Sequence, residues 1–234
     1  LDGTLIDSIG IWNKTDQFII KKYGNKELTE EEIQQERDDF LNTHHDTDIY
    51  LAYCEYIIKK HNLIIKDKED LLKIRWSISS EILKKDMDFK KDVVTLLIKL
   101  KKLGFTLILA TMAPRFQMEI YTKKNKKMLS QMNINEMFDL ITTKDEVKNK
   151  KPHPEIYENI INFYHASKSE CLIFEDSYTG VLASHNAGIE VVNIYDQYAD
   201  IDREKINSLT DYRISNYKEF IDYIDEYFAK KYIK

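Results

Sequence analysis

Three short apolar runs, each bordered by helix-like patterning, constrain this chain more than any other feature. Phe105-Thr106-Leu107-Ile108-Leu109-Ala110, Cys171-Leu172-Ile173-Phe174 and Glu190-Val191-Val192-Asn193-Ile194 are strand-length and nearly continuous in hydrophobicity. A strand wetted on one face would alternate, so these read as strands buried on both faces. Between them run helical patterns. One carries Val93, Leu97 and Leu100 and stops at Gly104. Another extends to about Met132, a third opens at Pro154 with Ile156, Ile160 and Phe163, and a fourth ends at Gly188. Leu140-Ile141-Thr142 adds a short strand, and Tyr217, Phe220, Ile221, Ile224, Tyr227 and Phe228 define a C-terminal amphipathic helix. Strands alternating with helices predict an α/β fold, a doubly wound parallel sheet covered on both faces, with ligands at the carboxyl ends of the strands.

The stretch before this alternation follows a different grammar. Ser8 to Tyr23 is helical, with Trp12, Ile19 and Tyr23 on one side and Gly24 as the stop. Thr29-Glu30-Glu31-Glu32 is a capping box for a helix to about Leu41. Ile49, Ala52, Tyr53, Tyr56 and Ile57 mark a third helix, and Asp67 caps a fourth with Leu71, Ile74, Ile78 and Ile82. Residues 14–85 are therefore expected to form an inserted all-helical domain, and 1–13 with 86–234 the α/β core. With 43% hydrophobic and 32% charged residues the composition is globular, and a net charge of -5 argues against a broad nucleic-acid surface. Cys54 and Cys171 suit neither a disulfide framework nor a metal site. Both are expected to be buried and reduced, which points to the cytoplasm. No apolar stretch approaches the roughly 20 residues of a membrane span. The expectation is a cytoplasmic monomer with no membrane or nucleic-acid partner.

Four places carry candidate chemistry. Leu1-Asp2-Gly3-Thr4-Leu5-Ile6-Asp7 reads as a strand end turning into a helix. Thr111 ends one apolar run, Lys151 precedes Pro152 and a helix start, and Glu175-Asp176 deliver two carboxylates to a strand tip. Adjacent carboxylates suit a hard cation such as Mg²⁺, although capping the next helix is the simpler role for the pair. Lys151 is in isolation a solvated charge, and Thr111 a strand terminus.

Taken together and in order, these stretches resemble the four motifs of the haloacid-dehalogenase-like (HAD) hydrolases. Asp2-Gly3-Thr4 is similar to the end of the first, Lys151-Pro152-His153-Pro154 to the third, and Glu175-Asp176-Ser177 with Gly180, Ala183 and Ala187-Gly188 to the fourth, in its phosphatase and β-phosphoglucomutase form. The resemblance implies a Mg²⁺-dependent phosphomonoester hydrolase for a small phosphorylated metabolite, such as a sugar phosphate, working through an aspartyl-phosphate. Asp2 would be the general acid and then base, with its backbone carbonyl on the metal beside Glu175 and Asp176. Thr111 and Lys151 would be catalytic, holding phosphate together with the backbone N–H groups of Met112 and Ala113. The nucleophilic aspartate is expected immediately before Leu1. The helical insert matches the family's cap, and His44 and His45 fall where related caps reach the substrate. Arg75 and Trp76 are further cap candidates. A β-phosphoglucomutase-type phosphotransferase and a catalytically dead binding protein are the alternatives.

Overall fold

The computed structural model describes residues 1–44 and 48–232 of the chain. Contacts group the chain into two compact units, Ser8–Asp86 and Leu1–Asp7 with Met87–Lys234.

The first unit is four helices, α1 (Ile11–Gly24), α2 (Glu30–Thr43), α3 (Ile49–Lys60) and α4 (Lys68–Lys85). The Thr29–Glu32 capping box opens α2, and Asp67 accepts from the Asp70 N–H at the start of α4, as their sequences predict. Helix α1 runs through Gly24 and is ended by Asn25, which adopts the left-handed conformation at φ 51°. Ile19, Phe40, Tyr53, Cys54, Ile57, Leu63 and Leu71 form the unit's apolar core. Inside that core Arg75 makes two hydrogen bonds to Asp16, Nε to Oδ1 at 2.8 Å and Nη2 to Oδ2 at 3.0 Å. Its guanidinium also lies over the rings of Trp12 and Tyr53, at 5.3 and 5.0 Å. Arg75, expected as a cap contact, is thus a 3% exposed structural cation.

In the second unit, α5 (Val93–Lys102) leads to β1 (Ile108–Ala110), followed by α6 (Arg115–Glu119), a π-helical turn at Ile120–Lys124, α7 (Lys126–Gln131) and α8 (Ile134–Met137). Next come β2 (Leu140–Thr142), α9 (Glu155–Tyr164), β3 (Leu172–Glu175), α10 (Tyr178–Ala187), β4 (Glu190–Ile194), α11 (Arg203–Leu209), β5 (Tyr212–Ile214) and α12 (Tyr217–Tyr232). All pairings between these strands are parallel. β1 pairs with β2, Leu109 opposite Ile141; β4 lies between β3 and β5, with Glu175 opposite Asn193 and Ile194 opposite Ile214. The fold is α/β with helices over parallel strands, as the alternation predicts.

Three local expectations need correction. Only the second half of the 105–110 run is strand, because the Asp139 carboxylate takes the Leu107 N–H at 2.8 Å and the Asp139 N–H returns to the Leu107 carbonyl. The helix expected up to Met132 is interrupted by the π turn. Cys171 is half-buried, whereas Cys54 is fully buried. Among the described residues no helix is long and apolar enough to cross a membrane.

Between the two ladders lies a cavity of about 590 Å³ lined by residues of both β1 and β3, with Leu1, Leu5, Leu97 and Leu100 also on its walls. Leu1–Ile6 is a tight loop: Leu5 and Ile6 N–H groups both donate to the Leu1 carbonyl, and Gly3 N–H donates to Ile6 O. Ile6 then bridges to Phe89, and Lys90 N–H bonds the Leu5 carbonyl at 2.8 Å. This ties the loop to the segment that leads into α5.

Candidate active site

The loop brings Gly3 and Thr4 against Asp176, directly after β3. Gly3 has φ 71°, and a Cβ built on it would lie 2.1 Å from Asp176 Oδ2, so the Asp176 carboxylate occupies the space any other side chain would fill. Thr4 follows with its hydroxyl donated to Asp176 Oδ1 at 2.6 Å, while its own carbonyl accepts from the Tyr217 hydroxyl at 3.0 Å. Residues 172 positions apart in sequence therefore hold one carboxylate. Asp176 is 5% exposed. Burial, reinforced by the charge of Glu175, pushes its carboxyl up from 3.8 to about 7. A buried carboxylate in this state is electrostatically short of a cation.

Glu175 faces another way. It accepts hydrogen bonds from the Lys151 ammonium and, at 2.8 Å, from the Tyr157 hydroxyl of α9. Burial opposes its ionisation and is the largest single effect, but nearby positive charge, led by Lys151, together with the hydrogen bonds from Lys151 and Tyr157 lowers its pKa overall. The same pairing raises the pKa of Lys151 against its own desolvation. Lys151 is therefore a buried, fully charged cation rather than a solvated one. Gly180 makes room for the pair, since a Cβ there would fall 2.2 Å from Glu175 Oε2. Asn193 secures the backbone, donating to the Glu175 carbonyl at 3.0 Å. Capping of α10 falls to Ser177, whose side chain accepts from the Gly180 N–H, so the two carboxylates are not needed for it.

Thr111 is buried at the end of β1, its N–H bonded to the Thr142 carbonyl and its hydroxyl accepting from the Ala113 N–H at 3.0 Å. Ala113 N–H, expected as a phosphate donor, is thus directed at Thr111. Ala110 and Met112 pack against the cluster of Ile156, Tyr157, Ala183 and Ala187, which places Thr111 beside the elements that carry Lys151 and Glu175. His44 stacks on Phe40 with centroids 4.0 Å apart, and its Nδ1 lies 3.0 Å from the Phe40 carbonyl. In this arrangement it completes its own helix end. His45 lies outside the described residues. Among the described residues no three Asp, Glu, His or Cys side chains converge into a metal cluster.

Several contributors carry no mark in the sequence. Tyr157, Asn193 and Tyr217 sit in ordinary core patterns and give no local signal of their polar roles. Tyr121 donates to Asp2 Oδ1 at 2.6 Å and is likewise an aromatic at a helical core spacing. Gly180 and Thr4 could be found, because a glycine inside a helix and a threonine after a turn glycine both point to close packing or a local hydrogen bond.

A loop carrying an acid, with a buried Lys–Glu pair and a second carboxylate beside it at the tip of β3, makes up a phosphatase-like α/β site. Residues 1–194 match the family model for haloacid dehalogenase-like hydrolases, and the chain belongs to that family. Among curated relatives, pyrophosphatase PpaX of Bacillus cereus is 26% identical over 200 residues, covering 83% of this chain and 80% of that one. A phosphorylated carbohydrates phosphatase of Thermotoga maritima is 39% identical over 62 residues, 26% of this chain and 29% of that one. The chain thus spans about a third or less of the length of the first curated relatives it matches. Among solved structures, a HAD family hydrolase from Deinococcus radiodurans with bound phosphate and sodium superposes with TM-score 0.72 at 19% identity, covering 97% and 93% of the two chains. CbbY from Rhodobacter sphaeroides in complex with phosphate gives TM-score 0.68 at 19% identity over 94% and 93%.

Proposed function

We propose that this chain is a Mg²⁺-dependent phosphatase for a small phosphorylated metabolite, with sugar phosphates as the substrate class to test first. The observation that carries the proposal is the seating of the Asp176 carboxylate on the Asp2-Gly3 backbone, next to the Glu175–Lys151 pair. Its donor set fits a hard cation: a buried carboxylate with a raised pKa, beside a loop whose Asp2 carbonyl is the expected second oxygen ligand. Glu175 was expected on the metal as well. In the proposal its chief role is to hold Lys151, because its Oε1 already accepts two hydrogen bonds. When bound, the cation would neutralise the repulsion between an attacking carboxylate and a phosphate dianion.

The chain's own residues do the rest. Lys151 offers a fixed positive charge to the transferring phosphoryl group, held in place by Glu175 and Tyr157. Thr111, whose hydroxyl accepts from Ala113 and still carries its own proton, donates to a phosphate oxygen. Asp2 protonates the departing alcohol and then takes a proton from the attacking water. The nucleophile in this proposal is an aspartate directly before Leu1, at the end of an apolar strand. The helical unit is proposed to be the family's cap domain. A mutase would need a cap cation for a second phosphate, and Arg75 is already committed to Asp16. The test is phosphate release from a panel of sugar and small-acid phosphates, with and without EDTA. Metal-independent release, or none from any phosphomonoester, would overturn the proposal.

A further inference from the structure

Asp2 is held from a direction that no motif accounts for. The hydroxyl of Tyr121, a fully buried residue on the π turn, donates to Asp2 Oδ1 at 2.6 Å. Gln117, one turn earlier on α6 and 7% exposed, donates from Nε2 to that same hydroxyl at 3.1 Å. An oxygen that receives the Gln117 N–H turns its own proton elsewhere, so the amide aims the hydroxyl at Asp2. The carboxylate torsion of an aspartate is soft and roughly two-fold, and a short hydrogen bond from a rigid aromatic selects one rotation. The backbone is adapted for this contact. The Asn125 N–H reaches the Ile120 carbonyl at 2.9 Å, a five-residue step that widens the helix where Tyr121 sits. Such turns disrupt a regular ladder and recur at functional positions.

We infer that Tyr121, aimed by Gln117, is a positioning residue that fixes the rotation of the Asp2 carboxylate for proton transfer to the leaving group. The inference rests on the phosphatase reading, with Asp2 as the acid. It assigns a role to two residues outside all four motifs.

The test compares leaving groups in Tyr121→Phe and Gln117→Met against the wild-type full chain. A sugar phosphate releases an alkoxide that must be protonated as it departs, whereas p-nitrophenyl phosphate releases a stable phenolate. Misplacing the acid therefore penalises phosphoryl transfer from the first and spares it from the second, and kcat/KM isolates that step, because the later hydrolysis in which Asp2 acts as base is common to both substrates. The expected result for Tyr121→Phe is a kcat/KM lower by about 10-fold or more on the sugar phosphate, out of the ~10²–10⁴-fold that general acid–base catalysis supplies. On p-nitrophenyl phosphate kcat/KM stays within about 3-fold, and Gln117→Met shifts in the same direction by less. Equal losses of kcat/KM on both substrates would mark a merely structural tyrosine and overturn the inference, as would no loss of kcat/KM on either. A wild-type protein inactive on both would instead remove the phosphatase reading, and this inference with it.

Discussion

Replacing Asp176 by Asn is expected to make the protein more stable while abolishing its turnover, and the size of the gain follows from burial. In the folded chain the carboxyl titrates at about 7 against its ordinary 3.8, a gap of about three pH units. A carboxyl whose folded pKa is raised binds its proton more tightly in the native state, so the native state loses stability as pH rises from about 4 to about 7. At about 1.4 kcal/mol per pH unit, the ionised group costs ~4 kcal/mol at pH 8, of which roughly half has set in by pH 5.5. Asparagine keeps an acceptor for the Thr4 hydroxyl and removes the charge. For a chain of this size, ~2–4 kcal/mol corresponds to a rise in Tm on the order of 5–15 °C. Thermal unfolding in EDTA at about pH 8 and pH 5.5, for wild type and Asp176→Asn, measures this. The expected gap favours the variant and shrinks at the lower pH, and millimolar Mg²⁺ narrows it at pH 8 by stabilising only the wild type. A variant no more stable than wild type at pH 8, or a gap independent of pH, would refute the electrostatic account of this site.

Two further outcomes follow from the packing. Gly180→Ala in the first turn of α10 would ordinarily gain up to about 1 kcal/mol of helix propensity, but its Cβ would meet the Glu175 carboxylate at 2.2 Å, so chemical denaturation should show a loss instead, together with reduced phosphatase activity. Asp16→Ala leaves Arg75 charged and buried without its partner, and urea unfolding is expected to show a loss of about 3–5 kcal/mol, most of it recovered when Arg75→Met is added.

The legibility of this chain divides along a physical line. Features set by local chemistry could be read directly: the capping box at Thr29, the cap at Asp67, the glycine stop at Gly188 with φ 68°, and the strands at 140–142 and 190–194 match residue for residue. The two carboxylates at the tip of β3 were legible as well, because the step from apolar run to charged pair marks where the buried strand ends. What escaped depends on distant partners. Strand β5, Tyr212–Ile214, is three residues flanked by polar sequence and exists because β4 offers it a ladder. Leu107 looks like strand, but the Asp139 side chain takes its N–H. Lys151 reads as one of several surface lysines, and only Glu175, 24 positions later, makes it a buried cation. Arg75 is a cap candidate by its place on the fourth helix, and only Asp16, 59 positions away, shows it held in the interior by an ion pair.

The Tyr217 hydroxyl, fixed on the Thr4 carbonyl, draws the last helix into the site's foundation. The family match stops at residue 194, and Tyr217 lies beyond it, at the head of α12, with Phe174 of β3 packed against its ring and that of Phe220. A fragment trimmed to the matched segment would keep every motif residue and still lose the prop behind the loop that presents Asp2. In this chain, then, the structural support of the candidate site extends beyond the stretch that the family model matches.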